Sequence, residues 1–320
     1  MNPDLPLIKI VATGGTIANT PSGRLHAGEV AEVIPELNNT ARIEIEEVFR
    51  VGSSDITPDR WLILTEKINQ LAVRSDVNGF VVTHGSNTLE ETAYFLHLTV
   101  KTEKPVVLTA AQRQFTTLSS DSPKNFLDAV RVAASAEAAG KGVMTVVNDE
   151  INCGRDVTKR MSYRLQTYTS PDVGALGFVD LDRVTFYRQP LRKHTVASEF
   201  DVSRLERLPR VDIIYTASGT DGILIDAAVE RAHSDGLVIA VSPTGAPAPG
   251  MKEALNRAAG ANVPIVYANR GGHDRLRRML PGEPFIAGDN LNAQKARILL
   301  MLALTKTRDF AEIQRIFDEY

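Results

Sequence analysis

The apolar positions of this chain fall into short blocks of two kinds. Residues 7–11, LIKIV, form a compact run rich in β-branched side chains. Such a run bounded by turn residues reads as a buried strand. Residues 79–83, 105–110 and 143–147 read the same way. Between them the apolar positions change period: Trp61, Leu64, Ile68 and Leu71 recur at helical spacing behind Pro58, a good first helical residue. Helices are also expected over 88–99 and 123–137. Residues 42–50 set Ile43, Ile45 and Phe49 against charged neighbours, the pattern of a half-buried strand.

Strand and helix alternating in this way predict a mostly parallel sheet with helices on both faces. From 187 to 210 the periodicity fades and charge rises, as in an interdomain linker. A smaller α/β unit follows, with strands over 211–216, 237–241 and 263–268, helices near 221–233 and 250–259, and closing helices over 292–304 and 309–317. The expectation is a two-domain α/β protein. Its larger N-terminal catalytic domain spans 1–190, a linker 191–210, and a smaller C-terminal α/β domain 211–320.

Where the predicted strands stop, the residues change character. Gly14 and Gly15 end the first strand and Thr16 follows at once. Two glycines let the backbone turn sharply and let a ligand approach closely. The crevice outside the carboxyl ends of parallel strands is where ligands bind in open sheets, so Thr16 is a candidate nucleophile; an ordinary turn threonine fits the same residues. The strand at 79–83 ends in Thr83-His84-Gly85-Ser86-Asn87, and Thr88 with Glu91 three residues on reads as a capping box. A third polar stretch, 155–159, ends in Lys159. Hydroxyls beside a lysine are an arrangement that activates a serine or threonine without a histidine. Residues 19–28, rich in Pro, Gly, Ser and Thr, read as a mobile loop, with His26 a solvated loop histidine.

Composition narrows the classes. Of 320 residues, 43% are hydrophobic and 23% charged, ordinary for a globular protein. A net charge of −3 supplies no basic footprint for nucleic acid. The single Cys153 excludes an intrachain disulfide framework and fits a reducing compartment. The first residues, MNPDLPLIKI, lack a basic region followed by a long apolar one. The longest apolar runs fall short of the ~20 residues that cross a bilayer. The expectation is a cytoplasmic protein acting on neither membrane nor nucleic acid. No nucleotide, flavin or metal motif is evident, so no cofactor and no metal site are expected.

With these motifs in view, the chain resembles a known family. TGGTIA at 13–18, THGSNTLEET at 83–92 and GRDVTK at 154–159 look like the signature regions of bacterial-type L-asparaginases and glutaminase-asparaginases. VGSSD at 51–55 resembles that family's loop for the substrate carboxylate, and LNAQKAR at 291–297 its C-terminal helix. The resemblance runs from about residue 7 to the end. It implies hydrolysis of a side-chain carboxamide to carboxylate and ammonia by way of an acyl-enzyme. By motif, Thr16 takes the nucleophile's place, with Ser86 and Lys159 as the catalytic group that activates a hydroxyl. Ser53, Ser54, Gly85 and Asn87 are then the substrate-binding candidates. The resemblance also implies a small-molecule amide substrate, no cofactor, and a homo-oligomer built as a dimer of dimers.

The departures carry information too. The family's aspartate beside the second hydroxyl, which grips the substrate's α-ammonium, is Asn87 here. There is no tyrosine between Ile17 and Phe49, where the family's lid carries one. The loop at 243–249 offers no matching asparagine, the loop at 269–278 no acid that clearly matches, and 110–113 reads Ala-Ala-Gln-Arg rather than Gly-Ala-Met-Arg. Two further readings therefore stand beside asparaginase activity. One is a hydrolase of a related amide without a free α-ammonium, and the other a non-catalytic ligand-binding or sensing protein.

Overall fold

Every residue of strand β1 (Leu7–Gly14) is buried, as expected of a mainly apolar strand inside a parallel sheet covered on both faces. The pleat sends alternate side chains to opposite faces. Ile8, Ile10 and Ala12 join one core cluster, with Ala27, Val30, Phe126 and Ala129. Leu7 and Val11 join another, with Leu64, Ile68, Leu89 and Ala93. Lys9 shares the second face and meets the carboxylate of Glu44 at 2.9 Å. The computed structural model describes residues 3–15, 17, 19–20, 23–24, 26–277 and 284–320. It divides into two units, Met1–Arg204 and Leu205–Tyr320.

In the first unit β1 is followed by a small ribbon, β2 (Asn19–Thr20) with β3 (Gly23–Arg24), and then by helix α1 (Ala27–Glu32). Strand β4 (Arg42–Val51), helix α2 (Pro58–Ala72), strand β5 (Val77–Thr83) and helix α3 (Leu89–Thr99) come next. They lead to β6 (Val106–Thr109), α4 (Ser122–Ala134), β7 (Val143–Val147) and β8 (Glu150–Cys153). A second ribbon, β9 (Thr158–Lys159) with β10 (Tyr168–Thr169), precedes β11 (Gly177–Val179) and β12 (Val184–Phe186). The main sheet runs β12-β11-β8-β7-β6-β5-β1-β4. It is parallel from β7 to β4 and antiparallel beyond. Helices α1 and α4 contribute to one core cluster and α2 and α3 to the other, so both faces are covered. The carboxyl ends of β6, β5, β1 and β4 lie side by side, which sets their four exit turns along one edge of the sheet.

The architecture is the α/β arrangement anticipated, with local differences. The capping box does not form: Thr88 is the N-cap of α3 but makes no side-chain cap bond. Its Oγ1 donates instead to the carbonyl of Ser53 at 2.7 Å, because a nearby loop offers an acceptor that the helix end does not. The helix expected over 123–137 is α4 followed by a 3₁₀ turn, Ala136–Ala138, broken at Ser135 in extended backbone. Strands β8, β11 and β12 were not anticipated. Of the loop at 19–28, residues 21, 22 and 25 lie outside the described residues. His26 is exposed at the N-cap of α1, its ring between Glu47 Oε2 (2.8 Å) and Arg50 Nη1 (3.0 Å).

In the second unit a parallel sheet runs β13 (Val211–Tyr215), β14 (Gly236–Val241), β15 (Ile265–Asn269) and β16 (Ile286–Ala287). Helix α5 (Ile223–Glu230) follows β13, α6 (Lys252–Gly260) follows β14, and α7 (Ala293–Ala303) and α8 (Phe310–Glu319) close the chain. One core cluster gathers Ile225, Met251 and Leu255 against Leu237, Ile239 and Ile265. Helix α7 is buried along nearly its whole length. Two side chains fix the closing helices: Asn292 Oδ1 accepts from the Lys295 amide at 2.9 Å and Asp309 Oδ1 from that of Glu312 at 2.8 Å.

An N-cap acceptor replaced by alanine costs about 1 kcal/mol. Asn292→Ala is therefore expected to lower the midpoint of urea unfolding by that equivalent with an unchanged m-value. An unaltered midpoint would mean that packing alone holds the start of α7.

Candidate active site

The site is assembled at the exit turns, and it starts with backbone. Gly14 and Gly15 have φ of 101° and 89°, a region that L side chains rarely adopt. A Cβ on Gly15 would fall 2.3 Å from the Gly85 nitrogen and from the His84 carbonyl, so the two turns pack main chain to main chain. The Gly15 amide donates to the Val51 carbonyl at 3.1 Å. A Cβ on Gly85 would fall 2.8 Å from Ser53 Cβ. The turns after β1, β4 and β5 thus touch where no side chain fits between them. Ile17 is buried, and its carbonyl accepts from Ser122 Oγ at 2.5 Å. Thr16 lies outside the described residues.

Hydrogen bonds then fix the polar groups. Ser53 is buried in a 3₁₀ turn, Ser53–Asp55, with Oγ accepting from the Asn87 amide at 3.2 Å. Ser54 is exposed on the same turn. Lys159 Nζ donates to Ser86 Oγ at 2.8 Å and to Asn87 Oδ1 at 3.2 Å. Ser53, Gly85, Ser86, Asn87 and Lys159 are therefore gathered in one place, with Ser54 at its border. Burial pulls the Lys159 ammonium below its ordinary range, opposed by the negative charge of Glu90. A lysine of this kind reaches its neutral, proton-accepting form at lower pH than a solvated one.

Behind the site runs a chain of bonds whose polarity can be assigned. His84 Nδ1 faces the Gly85 carbonyl at 2.8 Å, and its Nε2 faces Thr92 Oγ1 at 2.9 Å. A carbonyl only accepts, so Nδ1 carries the proton. Burial holds the imidazole pKa down at about 4, so the ring is neutral and Nε2 must accept from Thr92. Trp61 Nε1–H in turn donates to Thr92 Oγ1 at 2.9 Å. The path Trp61, Thr92, His84, Gly85 ties α2 and α3 to the turn that carries Ser86.

Other residues at the site were not singled out by pattern. The Asp121 carboxylate accepts from the amides of Gln112 and Arg113, both at 2.9 Å, and from Asn125 Nδ2 at 3.0 Å. Its signal was an acid just before Ser122-Pro123, where a helix starts. Gln112 Nε2 lies 3.2–3.4 Å from the carbonyls of Met161, Ser162 and Arg164, in the loop that joins β9 to β10. The Tyr168 hydroxyl donates to the Ser86 carbonyl. Tyr168 left no signal, since a ribbon of two-residue strands is too short to show alternation. Among the described residues no group of three or more His, Cys, Asp or Glu is placed to hold a metal ion. None of the described helices is long and apolar enough to cross a membrane.

Comparison with known proteins decides the family. The model described as Asparaginase, N-terminal, matches residues 7–192, and that for the Glutaminase/Asparaginase C-terminal domain matches 210–317. The chain belongs to the asparaginase family. It is 42% identical to L-asparaginase 2 of Bacillus subtilis, covering 99% of this chain and 87% of that protein. It is 39% identical to L-asparaginase 2 of Escherichia coli, covering 99% and 94%. The crystal structure of a probable cytoplasmic L-asparaginase from Campylobacter jejuni superposes with a TM-score of 0.94 at 38% identity, covering 98% of this chain and all of that one. Asparaginase-family membership thus extends over both units, and the two-domain α/β architecture is shared with that structure.

The neutral His84 has a consequence for stability. Its pKa is about 4 in the folded chain against 6.5 when unperturbed. Between these values the unfolded chain binds a proton that the folded one does not. Stability therefore falls as pH drops through that window, by about 3 kcal/mol in all. His84→Gln should flatten the difference between unfolding free energies at pH 6.5 and pH 4; parallel curves for variant and parent would refute the assignment.

Proposed function

We propose that the chain is an L-asparaginase-type amidohydrolase that works through a threonine nucleophile and an acyl-enzyme. The observation that carries the reading is the Lys159 Nζ to Ser86 Oγ contact of 2.8 Å, with the lysine pKa depressed by burial. Gly15 packs directly on His84–Gly85. In the proposed reaction Thr16 Oγ attacks the carboxamide carbon while its proton passes toward the Ser86–Lys159 pair. The C–N bond breaks and nitrogen leaves as ammonia with that proton. Water then attacks the acyl ester, releasing the carboxylate and restoring Thr16. Ser53, with Ser54 and Gly85 beside it, supplies hydroxyl and turn donors for a substrate carboxylate.

Asparagine and glutamine are the default substrates, in line with relatives named L-asparaginase and glutaminase-asparaginase. The family likeness also supports a homo-oligomer, a dimer of dimers. For the compartment we favour the cytoplasm, consistent with a single cysteine; the Campylobacter chain is named cytoplasmic, whereas a relative from Haemophilus influenzae is named periplasmic.

Ammonia release from asparagine and glutamine tests the reading. Thr16→Ala is expected to lose about 10⁴-fold or more in kcat while folding normally. Ser86→Ala and Lys159→Met should each cost nearly as much as the double variant, since groups acting as one unit are not additive. Wild-type turnover in Thr16→Ala, or multiplicative losses in the double variant, would overturn it.

One observation favours a second reading of the substrate. Lys159 donates to Asn87 Oδ1, so the amide oxygen faces the lysine and the Nδ2 donors face the other way. Asn87 is exposed, and Nδ2 has no partner among the described residues. This wall of the site offers donors and a lysine, which suit an uncharged or acceptor group better than an ammonium. Free L-asparagine is then a poor substrate, below ~10⁴ M⁻¹s⁻¹ in kcat/KM, and an N-acylated analogue a better one. Asn87→Asp should shift preference back toward free L-asparagine. High wild-type efficiency on free asparagine would refute this reading and leave the first intact.

A further inference from the structure

The lysine of the site stands on a very small scaffold. Strands β9 and β10 are two residues each and pair only with one another, Lys159 opposite Tyr168 and Thr158 opposite Thr169. Residues directly opposite in an antiparallel pair project from the same face, with Cβ atoms about 5 Å apart. Lys159 and Tyr168 therefore leave the ribbon together. They also arrive together: the lysine donates to Ser86 Oγ, and the tyrosine hydroxyl donates to the carbonyl of the same Ser86.

The two side chains differ in stiffness. A lysine has four rotatable bonds and about 2 kcal/mol of rotamer entropy to lose, so alone it does not define a distance. Tyr168 has two side-chain torsions, is 3% exposed, and its ring packs in the core cluster that holds Leu89, Ala93, Val147 and Val157. Its hydroxyl reaches Ser86 from a ring that has nowhere else to go. Ser86 itself is 8% exposed, so its carbonyl, deprived of that donor, would be left without a partner in a largely dry position. The loop between the strands is held separately by Gln112, which fixes the far end of the ribbon but touches neither reacting group.

We propose that Tyr168 is a positioning residue that sets the Ser86–Lys159 pair at proton-transfer distance by clamping the Ser86 main chain to the lysine's own ribbon. This rests on the reading of Ser86 and Lys159 as one catalytic unit. Removal of the hydroxyl leaves the lysine attached and the ring packed. It frees the Ser86 turn to drift from Nζ and admits water to the ammonium.

Tyr168→Phe is the test, read as kcat, KM and the pH dependence of kcat, beside the same substitution in a Lys159→Met background. The folded variant is expected to lose roughly 10- to 100-fold in kcat, the cost of a displacement of about 1 Å at a reacting pair, with KM little changed. The alkaline-going limb of its pH profile should move up, toward the 10.5 of an unperturbed lysine, because the ammonium is better hydrated. In Lys159→Met the further change to phenylalanine should cost nothing, since no pair remains to be positioned. Wild-type kcat and limb in Tyr168→Phe, or an equal loss with and without Lys159, would overturn the proposal. Full turnover in Lys159→Met alone would overturn instead the catalytic reading on which it rests.

Discussion

The contact between Gly15 and the His84–Gly85 peptide is made of main chain alone, and the site depends on it. A single added carbon at Gly15 would overlap the neighbouring turn at 2.3 Å, and one at Gly85 would overlap Ser53 at 2.8 Å. Distances that short cannot be relieved by a rotamer change, because the atoms in the way are mostly backbone. The glycines are thus required twice, for the positive φ at Gly15 and for the space at both positions. What this packing achieves is convergence. Parallel strands exit side by side, but their turns ordinarily diverge. Here the turns after β1, β4 and β5 are pressed together until Ser53 can bond to both Asn87 and Thr88.

Upon that backbone contact the side chains are held in graded fashion. The deepest are neutral and locked. Trp61, Thr92 and His84 form a donor-to-acceptor series in which each proton has one placement, and the series ends on the Gly85 carbonyl. Beside them are Ser86 and Lys159, the pair whose proton moves in the proposed reaction. Both ring nitrogens of His84 are engaged, with the Gly85 carbonyl and Thr92 Oγ1, so the titratable group in contact with the Ser86 hydroxyl is Lys159. The division of labour follows from burial: full burial makes His84 a strut, and partial burial lets Lys159 keep a proton affinity depressed but usable.

Much of this was legible in the chain before any coordinates. Strands β1 and β5 announce themselves because both of their faces are largely buried, so each carries a compact apolar run, Ile10-Val11-Ala12 and Phe80-Val81-Val82. The turns at Gly14-Gly15 and His84-Gly85-Ser86 are legible because glycine and hydroxyl residues have few other reasons to follow such runs. What failed to show has a physical cause in each case. Strands β11, β12 and β16 have two or three residues and hence no period to detect. Thr88 carries a capping signature, yet its hydroxyl had a better acceptor in Ser53, a residue 35 positions away that no local pattern includes. Tyr168 became part of the site through a pairing across a loop, and only the fold supplies that pairing.

The residue at position 87 ties together two properties that look separate. Lys159 Nζ lies 3.2 Å from Asn87 Oδ1. A carboxylate in place of that amide would sit beside the ammonium as a full negative charge. At an effective dielectric of about 20, such a pair attracts by a few kcal/mol, enough to raise the lysine pKa by more than a unit. A lysine so paired would be harder to deprotonate, and less of the proposed base would be in its proton-accepting form near neutral pH. With asparagine the lysine keeps a hydrogen bond that orients it but gains no charge from position 87, and burial still outweighs the opposing charge of Glu90. In the proposed reading the same neutrality takes away a partner for a substrate ammonium. In the proposed reading, the charge tolerated on the substrate and the pH at which the lysine acts both depend on position 87, so a charge introduced at Asn87 would alter the two together.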